Sequence, residues 1–341
     1  MAANTGQTAP DDEWLSGLQE NILEPDIAIV DPHHHLWLRN GYTYLLPELA
    51  ADMSSGHNIV ASVFAECHSM YRQGGPLEER SLGETEFVRG QAAMSASGEF
   101  GSARACDVMF GNVDVMLGAQ VEPLLEKHVD VSGGRFRGIR ISSGWHSDDA
   151  IHNVSPVAQL LLSPQVSAVA KVLTRMDMTL DCWVYHTQLT EVAALADEHP
   201  DLTIVLNHVG SPILGGPYRG KTDEVFDAWC DAIQQVARRQ NVFVKLGALP
   251  IRMPGYSGDR SLPPGSMEVA AAWQRWIDFC IEAFSPSRAM FESNFPVQKR
   301  WCSYQVCWNA FKRLAADLSP AEKKDLFAGA AMRAYRMDDA P

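Results

Sequence analysis

His33 and His35 stand two residues apart at the end of an apolar run, Ile27-Ala28-Ile29-Val30, bounded upstream by Glu24-Pro25-Asp26. A short apolar run of this kind reads as a buried strand. On an extended chain, residues i and i+2 point to the same side, so His33 and His35 share one face and His34 takes the other. Two imidazoles on one side can bind a divalent ion through neutral nitrogens. His186 and His208 occupy comparable positions, after the strand-like runs 178–185 and 202–206. Four histidines at three strand ends, from 11 in the chain, fit a mononuclear metal site with one imidazole left for substrate. Further polar residues end other runs: Glu66 after 59–65, Arg140 within 136–141, Lys245 within 242–246 and Asn294 after 289–291. Arg140 is suited to hold a substrate carboxylate by paired hydrogen bonds. Lys245 either assists it or pairs with a core carboxylate. Trp37, Trp145 and Tyr185 are candidates for an apolar wall.

The elements that carry these residues alternate. Strand-like runs are followed by helical patterns over most of the chain, without internal repeat or low-complexity linker. Alternation implies a parallel sheet covered by helices. A barrel and a doubly wound sheet both satisfy that order. The polar residues decide between them, because only a barrel brings every strand's C-terminal end to one face. The expected fold is therefore a single-domain (β/α)₈ TIM barrel over residues 25–337. Residues 1–24 are expected as a loosely ordered tail with a short helix near 14–22. The third strand is ambiguous between 108–110 and 113–117. No GxGxxG follows the first strand, which argues against a dinucleotide fold. Ser319-Pro320-Ala321-Glu322 is a capping box with proline at the first helical position.

The chain has 341 residues, 46% hydrophobic and 21% charged, as expected for a globular protein with a substantial core. Its net charge of -14, with no basic tract to offset it, argues against nucleic acid and anionic membrane as partners. No run reaches transmembrane length, and the acidic N-terminus lacks the apolar core of a signal peptide. Seven scattered cysteines without a CxxC pair suggest free thiols in a reducing compartment, hence the cytoplasm. The expected partner is a small molecule, and homo-oligomerisation stays open.

Five segments in order carry a family resemblance. They are Asp31-Pro32-His33-His34-His35-Leu36-Trp37, Phe136-Arg137-Gly138-Ile139-Arg140, Asn207-His208-Val209-Gly210, Val244-Lys245-Leu246-Gly247 and Phe291-Glu292-Ser293-Asn294-Phe295-Pro296-Val297. Together they resemble the amidohydrolase superfamily, in its amidohydrolase-2 group of lactonases and decarboxylases. The resemblance implies His33, His35 and His186 as ligands of a divalent metal, with zinc first. It implies His208 as the group that polarises substrate or assists proton transfer. Asn294 departs from the pattern, since the superfamily places an aspartate there as ligand and general base. An amide cannot take a catalytic proton at neutral pH. Glu66, Glu292 and His208 are the available replacements, with Glu66 first and a Glu66 pair with Arg140 or Lys245 as its alternative. The expected activity is hydrolysis of a lactone or similar cyclic ester on a carboxylated, ring-derived metabolite, with or without metal. A metal-dependent decarboxylase is the runner-up, and an inactive metabolite-binding barrel the third reading.

Overall fold

Alternation along each strand sorts side chains between two cores. Ala61, Val63 and Ala65 belong to an inner cluster with Val30, Val108, Phe110, Val205 and Met290. The intervening Phe64, with Met109, Ile139, Leu180, Val244 and Phe291, faces a larger outer cluster shared with the helices. Such two-sided burial is what a strand inside a helix-covered barrel requires. The computed structural model describes residues 9–39, 41–250 and 261–337 and shows that barrel. Eight parallel strands run in chain order: β1 (Ile29–His34), β2 (Ile59–Ala65), β3 (Arg104–Gly111), β4 (Phe136–Ser142), β5 (Thr179–Trp183), β6 (Ile204–Leu206), β7 (Val242–Leu246) and β8 (Ala289–Phe291). β8 meets β1 just past its end: His33 O accepts the Asn294 N–H at 2.9 Å, and the His35 N–H reaches Phe295 O at 2.7 Å. Of the two candidates for the third strand, 108–110 lies within β3, whereas most of 113–117 belongs to a helical turn, Val115–Val121.

One irregularity matters for the site. Val30 lies in the inner cluster, yet His33, three residues on, packs edge-to-face on the inner Phe110 at 5.9 Å between ring centroids. An odd spacing cannot share a face on a regular strand. The pairing of β1 with β2 shifts register between Asp31 and His34, where three residues of β1 span two of β2, and this turns His33 inward.

Helices cover the barrel's outside, and the fully buried Trp229, Trp273, Trp276 and Trp308 fill the space between them. Each such ring removes on the order of 150–250 Å² from water. Pro164 opens the helix Pro164–Arg175 behind a Ser163 cap, and the Ser319–Glu322 capping box forms as expected. Residues 9–24, expected within a loose tail, are docked: Glu20 accepts the Ser266 N–H at 2.7 Å, and Asn309 Oδ1 accepts the Leu23 N–H at 3.0 Å. Residues 1–8 of that tail lie outside the described residues. The seven cysteines are free thiols, and no helix of the described residues is long and apolar enough to cross a membrane.

Candidate active site

Period two sets the inner wall near the strand C-termini. Arg140 on β4 lies level with Asp181 on β5, and Asp181 with Val205 on β6. Lys245 on β7 lies level with Met290 on β8, and Glu292 follows two residues later. Just beyond these ends is a cavity of about 470 Å³, lined among others by His35, Trp37, Arg39, Arg140, His208 and Asn294.

The His33 ring centroid lies 4.9 Å from that of His35 and 4.7 Å from that of His208. Both groups of the HxH pair thus face one space, as their spacing predicts. His34 faces away, with Ser62 Oγ 2.9 Å from its Nε2. Burial, the Lys245 charge and His208 hold the His33 imidazole well below its usual pKa. Burial and then Arg140 do the same for His35. Both rings are therefore neutral, with a lone pair to offer. His35 Nδ1 sits 2.9 Å from Ala65 O, which makes it the donating nitrogen and frees Nε2.

His186 does not join them. Its Nδ1 accepts the Ile213 N–H at 3.2 Å, and its ring packs edge-on against Tyr218 at 5.1 Å. Burial, then His146, pushes its pKa down to about 4. Among the described residues, the three donors that come within 4.8 Å of one another are those of His33, His208 and Glu292. Of the expected triad of His33, His35 and His186, that group keeps His33 alone and adds His208 and the Glu292 carboxylate from the eighth strand's end, while the His35 ring stays beside that of His33.

Glu292 is fully buried. Its Oε1 lies 2.6 Å from His208 Nδ1 and also accepts the His208 backbone N–H at 3.2 Å. Its Oε2 is 3.1 Å from His33 Nδ1 without a hydrogen-bonding alignment and has no other partner. One oxygen therefore orients His208 while the other remains available. Two imidazoles and a carboxylate with a free buried oxygen form a donor set that fits a divalent ion. Asn294 Oδ1 and Ser211 Oγ, both from the cavity wall, are also buried without partners. Buried polar atoms in native sites are normally satisfied, so these mark where a ligand would bind.

The cations are more committed than the sequence implies. Arg140 Nε donates to Glu66 Oε1 at 2.7 Å, and Nη2 to Glu66 O at 2.6 Å. That edge is spent, so paired capture of a substrate carboxylate by Arg140 is not available; Nη1, 3.4 Å from His33 Nε2, faces the site. Glu66, expected first as general base, is the ion-pair partner of Arg140 instead. Lys245 is fully buried, donating to Asp181 Oδ1 at 2.9 Å with its Nζ 3.2 Å from His33 Nδ1, so it supports the histidine and does not touch substrate. Tyr185 donates its hydroxyl to His152 O at 2.5 Å and lies outside the cavity lining, where Trp183 takes its place. Trp37 does line the cavity, stacked on His35 at 5.6 Å. Arg39 was not singled out from the sequence, although its spacing of two from Trp37 in a short hairpin was the available signal.

Residues 30–337 match the family model described as amidohydrolase. An L-fucono-1,5-lactonase of Burkholderia multivorans is 24% identical over 314 residues, 91% of this chain and 96% of that protein. A crystal structure of an amidohydrolase from Burkholderia multivorans with bound zinc has a TM-score of 0.69 at 23% identity, covering 91% of this chain and 100% of the other. A manganese-bound 5-carboxyvanillate decarboxylase from Novosphingobium aromaticivorans has a TM-score of 0.54 at 14% identity, covering 92% and 97%. At these identities the solved structures share the fold, and they span both hydrolysis and decarboxylation.

Proposed function

The chain belongs to the amidohydrolase family, and from the site it builds we propose that it opens the ring ester of a small carboxylated metabolite, a lactone, to the hydroxy acid. The observation that carries this reading is the buried Glu292 paired with His208, which lines the cavity. A carboxylate on Nδ1 fixes the tautomer and stabilises the imidazolium, which leaves Nε2 as the acceptor. His208 then takes a proton from water as the water oxygen adds to the lactone carbonyl. The tetrahedral oxyanion forms beside Arg140 Nη1. As the ring C–O bond breaks, His208 returns the proton to the departing alkoxide, so the proton count closes. Arg39 holds the substrate's anionic end by a charge-assisted contact, which leaves Arg140 Nη1 to the oxyanion.

His33, His35 and the free Oε2 of Glu292 would hold the metal, which leaves Nε2 of His208 for the proton, and zinc is the ion we propose. Bound there, it would supply a Lewis acid for the carbonyl and a water of lowered pKa. The lactonase relative and the zinc-bound fold neighbour support this reading. The test is acid release from a panel of sugar 1,5-lactones and carboxylated pyrones, before and after chelation. Ring opening well above the uncatalysed rate is expected, abolished in His208→Ala. Carbon dioxide release from carboxylated aromatics, with no lactone opened, would move the protein to the decarboxylase reading.

A further inference from the structure

Beside the cavity runs a second one, a groove of about 390 Å³ between the loops that follow β2, β3 and β4. Its size falls within the range of small-molecule sites, about 300–1,000 Å³. Leu77, Met116 and Val157 line it while 74%, 54% and 50% exposed. With Val154, which lines the first cavity, they are four of the eleven large apolar side chains that stand exposed among the described residues. Single exposed apolar residues are ordinary, but several around one concavity mark a binding surface.

The two cavities are continuous in their walls. Val154 lines the first, and Ser155, Pro156 and Val157, next along the chain, line the groove. His68 of the first wall and Tyr71 of the second set their rings 5.4 Å apart. The loop after β3 contributes nothing to the first cavity and instead supplies residues 112–116 of the groove. Charge divides the same way. The first cavity holds Arg39 and the Arg140–Glu66 pair, a positive balance, whereas the groove's charged residues are Glu78 and Asp114. An anionic group is thus favoured at one end and disfavoured at the other.

We infer that the groove is a second substrate subsite, taking an uncharged apolar substituent on a molecule whose ring ester and carboxylate lie in the first cavity. The inference rests on the lactone-opening reading and narrows the substrate class to amphiphilic lactones. A carboxylate at Arg39 with an alkyl or aryl arm over Tyr71 would displace water from Met116 and Val157, and each methylene so buried strengthens binding.

The test is calorimetric binding of straight-chain carboxylates, from butanoate to decanoate, to the full chain and to Met116→Asp and Val157→Asp. These positions are exposed, so the substitutions leave the core intact. In the wild type each added pair of methylenes should tighten binding about threefold, less than full burial would give. In the variants that gain should fall close to nothing. For turnover, an alkyl-substituted δ-lactone should exceed the unsubstituted one in kcat/KM by about tenfold or more. Affinity independent of chain length, no binding at millimolar concentration, or an undiminished gain in both variants overturns the subsite. So does a change from oligomer to monomer in the variants with the series unaltered, which would assign the groove to a second copy of the chain. A chain-length gain without lactone turnover would keep the subsite and count against the lactonase reading alone.

Discussion

Glu292 divides its two oxygens between two tasks, and this division is what makes the site workable without the aspartate that Asn294 replaces. Oε1 fixes His208, and Oε2 stays buried and unbonded beside His33. Glu292→Gln keeps a carbonyl oxygen for His208 but removes the charge that stabilises its imidazolium. A fall in kcat of about 10²–10⁴ is expected, measured on whichever lactone the panel identifies. His208→Ala should fall as far, and the double variant no further than the worse single, because the two act as a unit. Additive losses would separate their roles. Asn294 bears on the metal. Its φ of +52° suits asparagine better than most residues, and its Oδ1 is buried without a partner. Asn294→Asp would place a further negative charge beside the donors. Metal retained after dialysis against chelator should rise on the order of tenfold, with no matching gain in turnover. A large rate gain instead would show that the amide is a lost ligand.

At the scale of elements, the site depends on how closely β7 and β8 approach. A Cβ on Gly247 would lie 2.4 Å from Glu292 O and 2.6 Å from Glu292 Cγ, so the glycine is the space in which the carboxylate sits. Gly247→Ala must push β8 or rotate Glu292. A cost of about 1–3 kcal/mol in stability is expected from overpacking, read from urea midpoints. Activity should fall by more than the folded fraction accounts for, since His208 loses its orientation. Gly74→Ala, at a position with nothing within 4 Å, is the matched control. Proportional loss of activity and folded protein in Gly247→Ala would mean that Glu292 tolerates the shift.

At the scale of the molecule, residues 9–24 and the helix Ala330–Tyr335 brace the barrel. Tyr335, on the last helix, donates to both oxygens of Asp181 at 2.8 and 3.0 Å, and Asp181 in turn holds Lys245 under His33. The N-terminal arm is held by Asn309, whose amide donates to Glu20 Oε2 at 3.0 Å and Asn21 O at 2.9 Å while accepting from Leu23. Asn309 is fully buried, so Asn309→Ala leaves several polar groups without partners. A loss of about 2–3 kcal/mol is expected, with earlier proteolytic cutting within residues 9–24. An unchanged urea midpoint would show that the arm contributes nothing to the stability of the barrel.

The amino-acid sequence determined the barrel, because its signals are local. Apolar runs of strand length, helical spacing between them and polar residues at the run ends are each written within a few residues. The sharing of one face by His33 and His35 was legible for the same reason, since it needs only a period of two. Which polar groups meet across the barrel was not. The register shift between Asp31 and His34, and the placement of β8 against β1, set distances between residues more than 200 positions apart. Those distances join Glu292, and not His186, to the first histidines, and the curvature from β5 to β7 joins Lys245 to Asp181, 64 positions away. Arg140 could have met substrate or Glu66, and its sequence neighbourhood is the same in either case. A buried charge takes the partner that desolvation allows it, and only the closed barrel decides which partner lies within reach.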